Sequence, residues 1–243
     1  MSLPVRAPAR PAGAPRVLAL AAPSDAPVEW AVLAGLAPEH RLRVLAATRR
    51  RRFRRGEVVF HHGDPADAFH LVERGRVAVR STSARGAQLL LSVLGPGRSF
   101  GELALVGEPG PRTATITALE ATETLVLHRA QFDHLRASEP SVDHYLVAAL
   151  AAQVAALSDQ LMEVVFLPTR LRVVRALLAL EDEYGGVIKM TQEDVGLMAG
   201  TTRPTVNETL REIERTGAIR VGRGRIEVLD RAALARRLAR VTG

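Results

Sequence analysis

Glu102 and Arg112 stand toward the two ends of a turn punctuated by Gly and Pro, in the segment Phe100-Gly-Glu-Leu-Ala-Leu-Val-Gly-Glu-Pro-Gly-Pro-Arg-Thr113. One carboxylate and one guanidinium so placed can hold a phosphate-bearing sugar. The guanidinium grips phosphate oxygens with a two-pronged fork, and the carboxylate accepts from a hydroxyl. Free backbone N–H groups where Gly101 and Glu102 open a helix-like turn add a favourable site for an anion. The same residues also suit plain turn chemistry with a surface ion pair, so the elements around them decide between the two.

Short β-runs surround the segment, at 58–60, 68–72, 77–80, 88–94, 114–119 and 123–127, with turn signals at Gly63-Asp-Pro65, Gly75, Gly86 and Gly95-Pro-Gly97. That rhythm predicts an antiparallel sandwich or barrel. Upstream, apolar residues at helical spacing predict short helices over 28–36 and 38–47. Six arginines in seven residues, 49–55, then run into the first strand and read as a strand edge with its charges in solvent, or as a nucleic-acid arm. Downstream, 131–135 reads as a short helix and 140–167 as a long one of about 40 Å at 1.5 Å per residue. Val147, Leu150, Val154, Leu157, Leu161 and Val164 alternate spacings of three and four, the seam of a two-stranded coiled coil in a homodimer. An amphipathic helix packed on its own domain is the alternative.

Pro168 opens a second domain. A helix there runs to Tyr184-Gly-Gly186 and a strand follows at 187–190. The stretch from Thr191 to Leu210 then reads as helix, turn, helix. Thr191 with Asp194 forms a capping box, Gly196 leaves room where helices cross, and Gly200 suits the left-handed turn. Thr202 caps the second helix and Pro204 fits its first turn. Val206, Leu210 and Ile213 bury one face, leaving Arg203, Asn207, Glu208 and Arg211 for solvent or a groove. A two-stranded wing over 218–228 carries Arg220, Arg223 and Arg225, whose convergence favours phosphate contact.

The chain of 243 residues is 47% apolar and long enough for two domains, and its longest apolar stretches fall short of the about 20 residues of a spanning helix. Residues 1–27, rich in Ala and Pro, read as a disordered tail without the pattern of a signal peptide. No cysteine is present, which excludes disulfides, thiolate nucleophiles, cysteine-ligated iron–sulfur clusters and zinc ribbons. Net charge is +7, and the 33 Lys and Arg are nearly all Arg, which suits a polyanionic partner or reflects coding bias. No Walker loop, metal-ligand spacing or nucleophile–base set appears, so an enzyme regulated by a nucleotide domain ranks below a binding protein.

In this order of parts the chain resembles the CRP/FNR family of bacterial transcription regulators. Phe100-Gly-Glu-Leu-Ala-Leu with Pro111-Arg-Thr-Ala-Thr115 looks like the family's phosphate-binding cassette, and Thr202-Arg-Pro-Thr-Val206 sits where its recognition helix begins. The resemblance implies an α+β fold. Its parts are an antiparallel β-barrel of the jelly-roll, cyclic-nucleotide-binding type over 28–139, a dimerisation helix over 140–167 and a winged helix-turn-helix over 168–243. It implies cAMP or cGMP as an effector held by Phe100, Gly101, Glu102, Leu103, Arg112 and Thr113, with Glu102 accepting from the ribose 2′-hydroxyl. Leu157 and Ser158 fall at the base-contacting positions. Ser158 matches the adenine pattern and Leu157 does not, while Thr113 can bond a guanine amino group, so both nucleotides stay open. DNA contacts fall on Thr202, Arg203, Pro204, Thr205, Asn207, Glu208, Arg211, Arg223 and Arg225. Pro204 and Glu208 depart from the glutamate and arginine of the best-known members, so their half-site does not transfer. The implied protein is a cytoplasmic homodimer on a palindromic operator, engaging RNA polymerase, with no membrane and no metal. A haem would need His61, His62 or His70, which otherwise read as solvated turn residues. A vestigial nucleotide pocket with constitutive DNA binding is the runner-up.

Overall fold

The computed structural model describes residues 28–106, 108, 110–138 and 165–242, together with Asp143, Val147, Leu150, Ala151, Val154, Ala155, Leu157, Ser158, Leu161 and Met162. The tail at 1–27, the helix start at Pro140 and the seam residue Val164 lie outside the described residues, as do Gly107 and Pro109 of the opening segment.

Eight strands form two four-stranded antiparallel sheets: β1 (Arg49–Phe53), β2 (Val58–Phe60), β3 (Ala68–Arg74), β4 (Val77–Thr82), β5 (Gln88–Leu94), β6 (Ser99–Phe100), β7 (Thr115–Ala118) and β8 (Thr122–His128). One sheet runs β1-β8-β3-β6 and the other β2-β7-β4-β5. They face each other as a sandwich and do not close into the expected barrel. The alternation of side chains along a strand sorts the core into layers. Val72, Val77, Phe100 and Ile116 fill the space between the sheets. From the opposite face of β3, Phe69 and Leu71 pack with Trp30, Leu33, Leu36, Phe132 and Leu135 of the flanking helical turns, α1 (Pro38–Ala46) and α2 (Arg129–Ser138). Burying each such large apolar side chain contributes about 1.5–3 kcal/mol.

The expected helix over 28–36 is instead a single 3-10 turn, Ala31–Leu33. Gly35 weakens helix, and Pro38 disfavours it at the residue before. Trp30 is held by burial and by its indole N–H donating to Val72 O at 2.9 Å. The arginine run is the edge strand β1, exposed along Arg49 to Arg52, with Arg50 on Glu73 and Arg52 on Glu123.

The second unit contains α3 (Thr169–Tyr184), β9 (Val187–Ile188), α4 (Gln192–Ala199), α5 (Arg203–Arg215), β10 (Ile219–Gly222), β11 (Arg225–Val228) and α6 (Arg231–Thr242). Its sheet runs β10-β11-β9. Val173, Leu177, Leu180, Val195, Val206, Leu210, Ile213, Ile226 and Leu234 form its core, which continues onto Ala78, Leu90 and Val93 on the outer face of β4 and β5. Polar groups fasten the same contact: Glu183 accepts from Gly95 N at 2.8 Å and Arg98 Nε at 2.9 Å, and Arg80 pairs with Asp194 at 3.0 Å. Between the two units, every described residue from Asp143 to Phe166 is helical.

Candidate functional site

The cradle begins where β6 stops. Phe100 pairs with His70 of β3, and Gly101 then turns the chain at φ +82° into the 3-10 turn Glu102–Leu105. A Cβ at Gly101 would lie 2.8 Å from Arg112 Nη1 and 3.0 Å from Ala68 O, so glycine serves both the left-handed turn and the close approach of the guanidinium. Arg112 is fixed from the other side, its N donating to Asp64 O at 2.7 Å and its carbonyl accepting from Gly63 N at 2.9 Å.

The Arg112 side chain is only 5% exposed. Nη1 donates to Ala68 O at 2.8 Å and Nη2 to Asp67 Oδ1 at 3.3 Å, while Cζ sits 4.0 Å over the Phe60 ring. Among the described residues Nε is buried without a partner. Burial pushes the guanidinium pKa down against the opposing pull of Asp67 and Asp64. Among the described residues the ion pair of this buried cation is with Asp67, a 71% exposed carboxylate.

Beneath Arg112 lies an aromatic floor that was not legible in the sequence. His70 stacks on Phe100 at 4.8 Å, Phe60 lies 6.0 Å from His70, and Phe53 lies 6.5 Å from it. His70 is 2% exposed, in mid-strand, with Nδ1 3.2 Å from Thr124 Oγ1, and so is not the solvated turn histidine expected. Burial, then the charges of Arg112 and Arg51, lower its pKa to about 3 and keep the floor neutral. His61 and His62 are exposed.

The structure thus joins Phe100, Gly101 and Arg112, with Glu102 half-buried beside them and Leu103 and Thr113 exposed at the rim. Ser158 Oγ donates back to Val154 O at 3.0 Å and Leu157 is 55% exposed, so within one chain neither is held against the cradle.

In the second unit, the capping box is formed. Asp194 N donates to Thr191 Oγ1 at 3.1 Å, and Thr191 N to Asp194 Oδ2 at 3.3 Å. Gly200 takes the left-handed conformation, and a Cβ at Gly196 would meet Thr201 O at 2.9 Å. Thr202 occupies the N-cap of α5, but its hydroxyl lies 3.2 Å from Thr205 Oγ1 and makes no cap bond. Val206, Thr209, Leu210 and Ile213 are buried, Asn207 is half-buried, and Arg203, Pro204, Glu208, Arg211 and Arg215 are exposed. Arg223 and Arg225 are exposed on the wing, while Arg220 pairs with Glu227 at 2.9 Å. Sequence reasoning missed α6, whose signal is Asp230 capping Ala233 N at 2.8 Å ahead of Leu234 and Leu238. It also missed Arg170 of α3, which reaches Glu208 and Glu212 on α5.

A sandwich bearing an anion cradle, joined to a winged helix-turn-helix, defines a ligand-binding transcription regulator. A cyclic nucleotide-binding domain model matches residues 50–139 and a Crp-like helix-turn-helix domain model matches 171–237. The chain is 36% identical to a cyclic AMP receptor protein of Thermus thermophilus, over 82% of this chain and 93% of that one. It is 30% identical to a CRP-like cAMP-activated global transcriptional regulator of Mycobacterium tuberculosis, over 76% and 86%. Among solved structures it is similar to the Thermus thermophilus catabolite activator protein (34% identity, 86% and 99% covered, TM-score 0.51). It is also similar to a CRP/FNR family regulator of the same organism (27%, 80% and 100%, TM-score 0.66). The chain belongs to the CRP/FNR family, which is one of transcription regulators and not of enzymes.

Proposed function

We propose that this cyclic-nucleotide-binding, DNA-binding regulator takes cAMP as its effector, with cGMP the competitor, and acts as a homodimer on a palindromic operator. The carrying observation is the buried Arg112 guanidinium, with Nε unpartnered among the described residues and Nη1 against Gly101. A cyclic phosphate is a compact anion of the kind a guanidinium held beside a glycine turn pairs with, and Glu102, next in the chain, is available to a ribose hydroxyl. A hydrogen bond to a charged group contributes about 1.5–3 kcal/mol. Relatives named for cAMP support adenine, and Leu157 at a base-contacting position keeps guanine in play.

Dimerisation accounts for the apolar residues left open in one chain: Val147, Val154, Leu157, Leu161, Val165 and Phe166 are all more than half exposed. Covered by a second copy, they give the two-stranded seam, with Leu150 half-buried on the same path. Two α5 helices about 34 Å apart then reach successive major grooves. Arg203, Thr205 and Asn207 face base edges or phosphates, Arg211 lines the same face, and Arg223 and Arg225 of the wing hold the backbone. A cytoplasmic location and engagement of RNA polymerase belong to the same role. Among the described residues no helix is long and apolar enough to cross a membrane.

Thermal unfolding with and without nucleotide tests the ligand. cAMP should raise the melting temperature of the wild type, and Arg112→Leu should abolish the shift; an equal shift in both would remove Arg112 from the site. A second role, constitutive DNA binding with a vestigial cradle, is favoured by Asp67 already engaging Arg112. Calorimetry showing no heat with either nucleotide would select it.

A further inference from the structure

Arg170 lies at the start of α3, outside the helix-turn-helix, yet its guanidinium closes on α5. Nη2 donates to Glu208 Oε1 at 2.6 Å, and Nη1 donates to Glu212 Oε2 at 2.9 Å. Glu212 is anchored again by Arg237 of α6, which donates to its other oxygen at 3.0 Å. Arg237 first, then Arg170, hold the Glu212 carboxyl below the usual range. Glu212 is therefore the fixed post of the cluster, and Arg170 reaches from it to Glu208.

Glu208 has a different setting. It is 66% exposed in its side chain and continues the open line of Pro204, Arg211 and Arg215 along α5. Among the described residues only its Oε1 has a hydrogen-bond partner. A bare carboxylate on a helix that enters a polyanion's groove is repelled by phosphate. Pairing with Arg170 neutralises that charge and leaves Oε2 unpartnered among the described residues. The major-groove edge offers the cytosine N4 and adenine N6 amines as donors, and the cytosine amine, with no acceptor N7 beside it, is the usual partner of a carboxylate. Glu208 follows Arg203 by five residues, about 7.5 Å of helix axis.

We propose that Arg170 and Glu208 act as one reading unit, in which Arg170 positions the Glu208 carboxylate to accept a hydrogen bond from a cytosine amine in each half-site. The unit rests on α5 entering the major groove, as proposed above, and Arg170 is a positioning residue that touches no base.

The experiment is selection of the full-length chain, with cAMP present, on random-sequence DNA, followed by sequencing and by affinity measurement on the enriched site and its single-base variants. Wild type should prefer cytosine about tenfold at one position in each half-site. Glu208→Gln should lose that preference and move toward adenine, the base glutamine pairs with. Arg170→Met should weaken the preference at that position severalfold and leave the others as they were. The proposal is overturned if Glu208→Gln leaves the base profile unchanged. It is also overturned if Arg170→Met lowers affinity equally on every sequence, the mark of a phosphate contact, or changes stability alone, the mark of a tie between helices. Arg203→Ala separates the two levels: if it too leaves every position unchanged, α5 is not the reading helix.

Discussion

At the scale of single residues, the cradle is governed by what burial does to charge. Burial pushes the Arg112 guanidinium pKa down, and burial with the neighbouring arginine charges keeps His70 neutral. The pH dependence follows from the second fact. With a folded pKa of about 3 against an ordinary 6.5, His70 takes up no proton in the fold across the range where the unfolded chain does. Its contribution to stability is therefore complete above 6.5 and is lost progressively as pH falls toward 3. From pH 7 to pH 5 the loss should be about 2 kcal/mol, read by urea denaturation at the two values. Arg112, Arg51 and His128 face the ring and oppose its charging. His70→Gln should flatten the dependence, and an equal slope in both proteins would show that other groups set it. Arg112 and Gly101 were legible because their types and spacing carry the chemistry. The floor was not, since Phe53, Phe60, His70 and Phe100 lie on four different strands and only register brings them together.

At the scale of elements, most strands and the helix-turn-helix follow from period and punctuation. Gly75 ends β3 with φ +74°, where a Cβ would lie 2.4 Å from Ala121 O. Thr191 and Asp194 start α4 by a box whose spacing is visible in the sequence. The misses have local causes. The strand β6 is two residues long and holds only through β3, too short for any period to show. The helix expected over 28–36 lost to Gly35, Pro38 and the burial of Trp30. Of the sandwich or jelly-roll barrel expected, strand order gives two sheets that do not close. Capping gives the prediction at this scale. Thr191→Ala should cost about 1 kcal/mol by denaturation. Asp194→Ala should cost more, because it also loses the Arg80 pair at 3.0 Å; equal losses would show that pair to be idle.

At the scale of the whole molecule, the core of the second unit continues onto the outer face of β4 and β5, beside a polar seam centred on Glu183. That residue bonds the Gly95 and Arg98 turn, which feeds directly into β6 and the cradle. Gly101, where the cradle turns, is thus three residues along the chain from Arg98 in the contact with the second unit. Assembly is the second large-scale feature. Leu161 is 64% exposed, and in the proposed dimer it is covered by its counterpart. Leu161→Glu should convert a dimer to a monomer in sedimentation; a wild type that sediments as a monomer would contradict the seam.

Control of DNA binding by the cradle is read by fluorescence anisotropy of a DNA site selected by the protein itself, titrated with cAMP and in parallel with cGMP. Wild type should bind that site at least about tenfold more tightly with its nucleotide, a coupling of about 1.4 kcal/mol. Arg112→Leu should show no such rise. An affinity indifferent to both nucleotides, or an equal rise in the Arg112→Leu variant, would contradict the account.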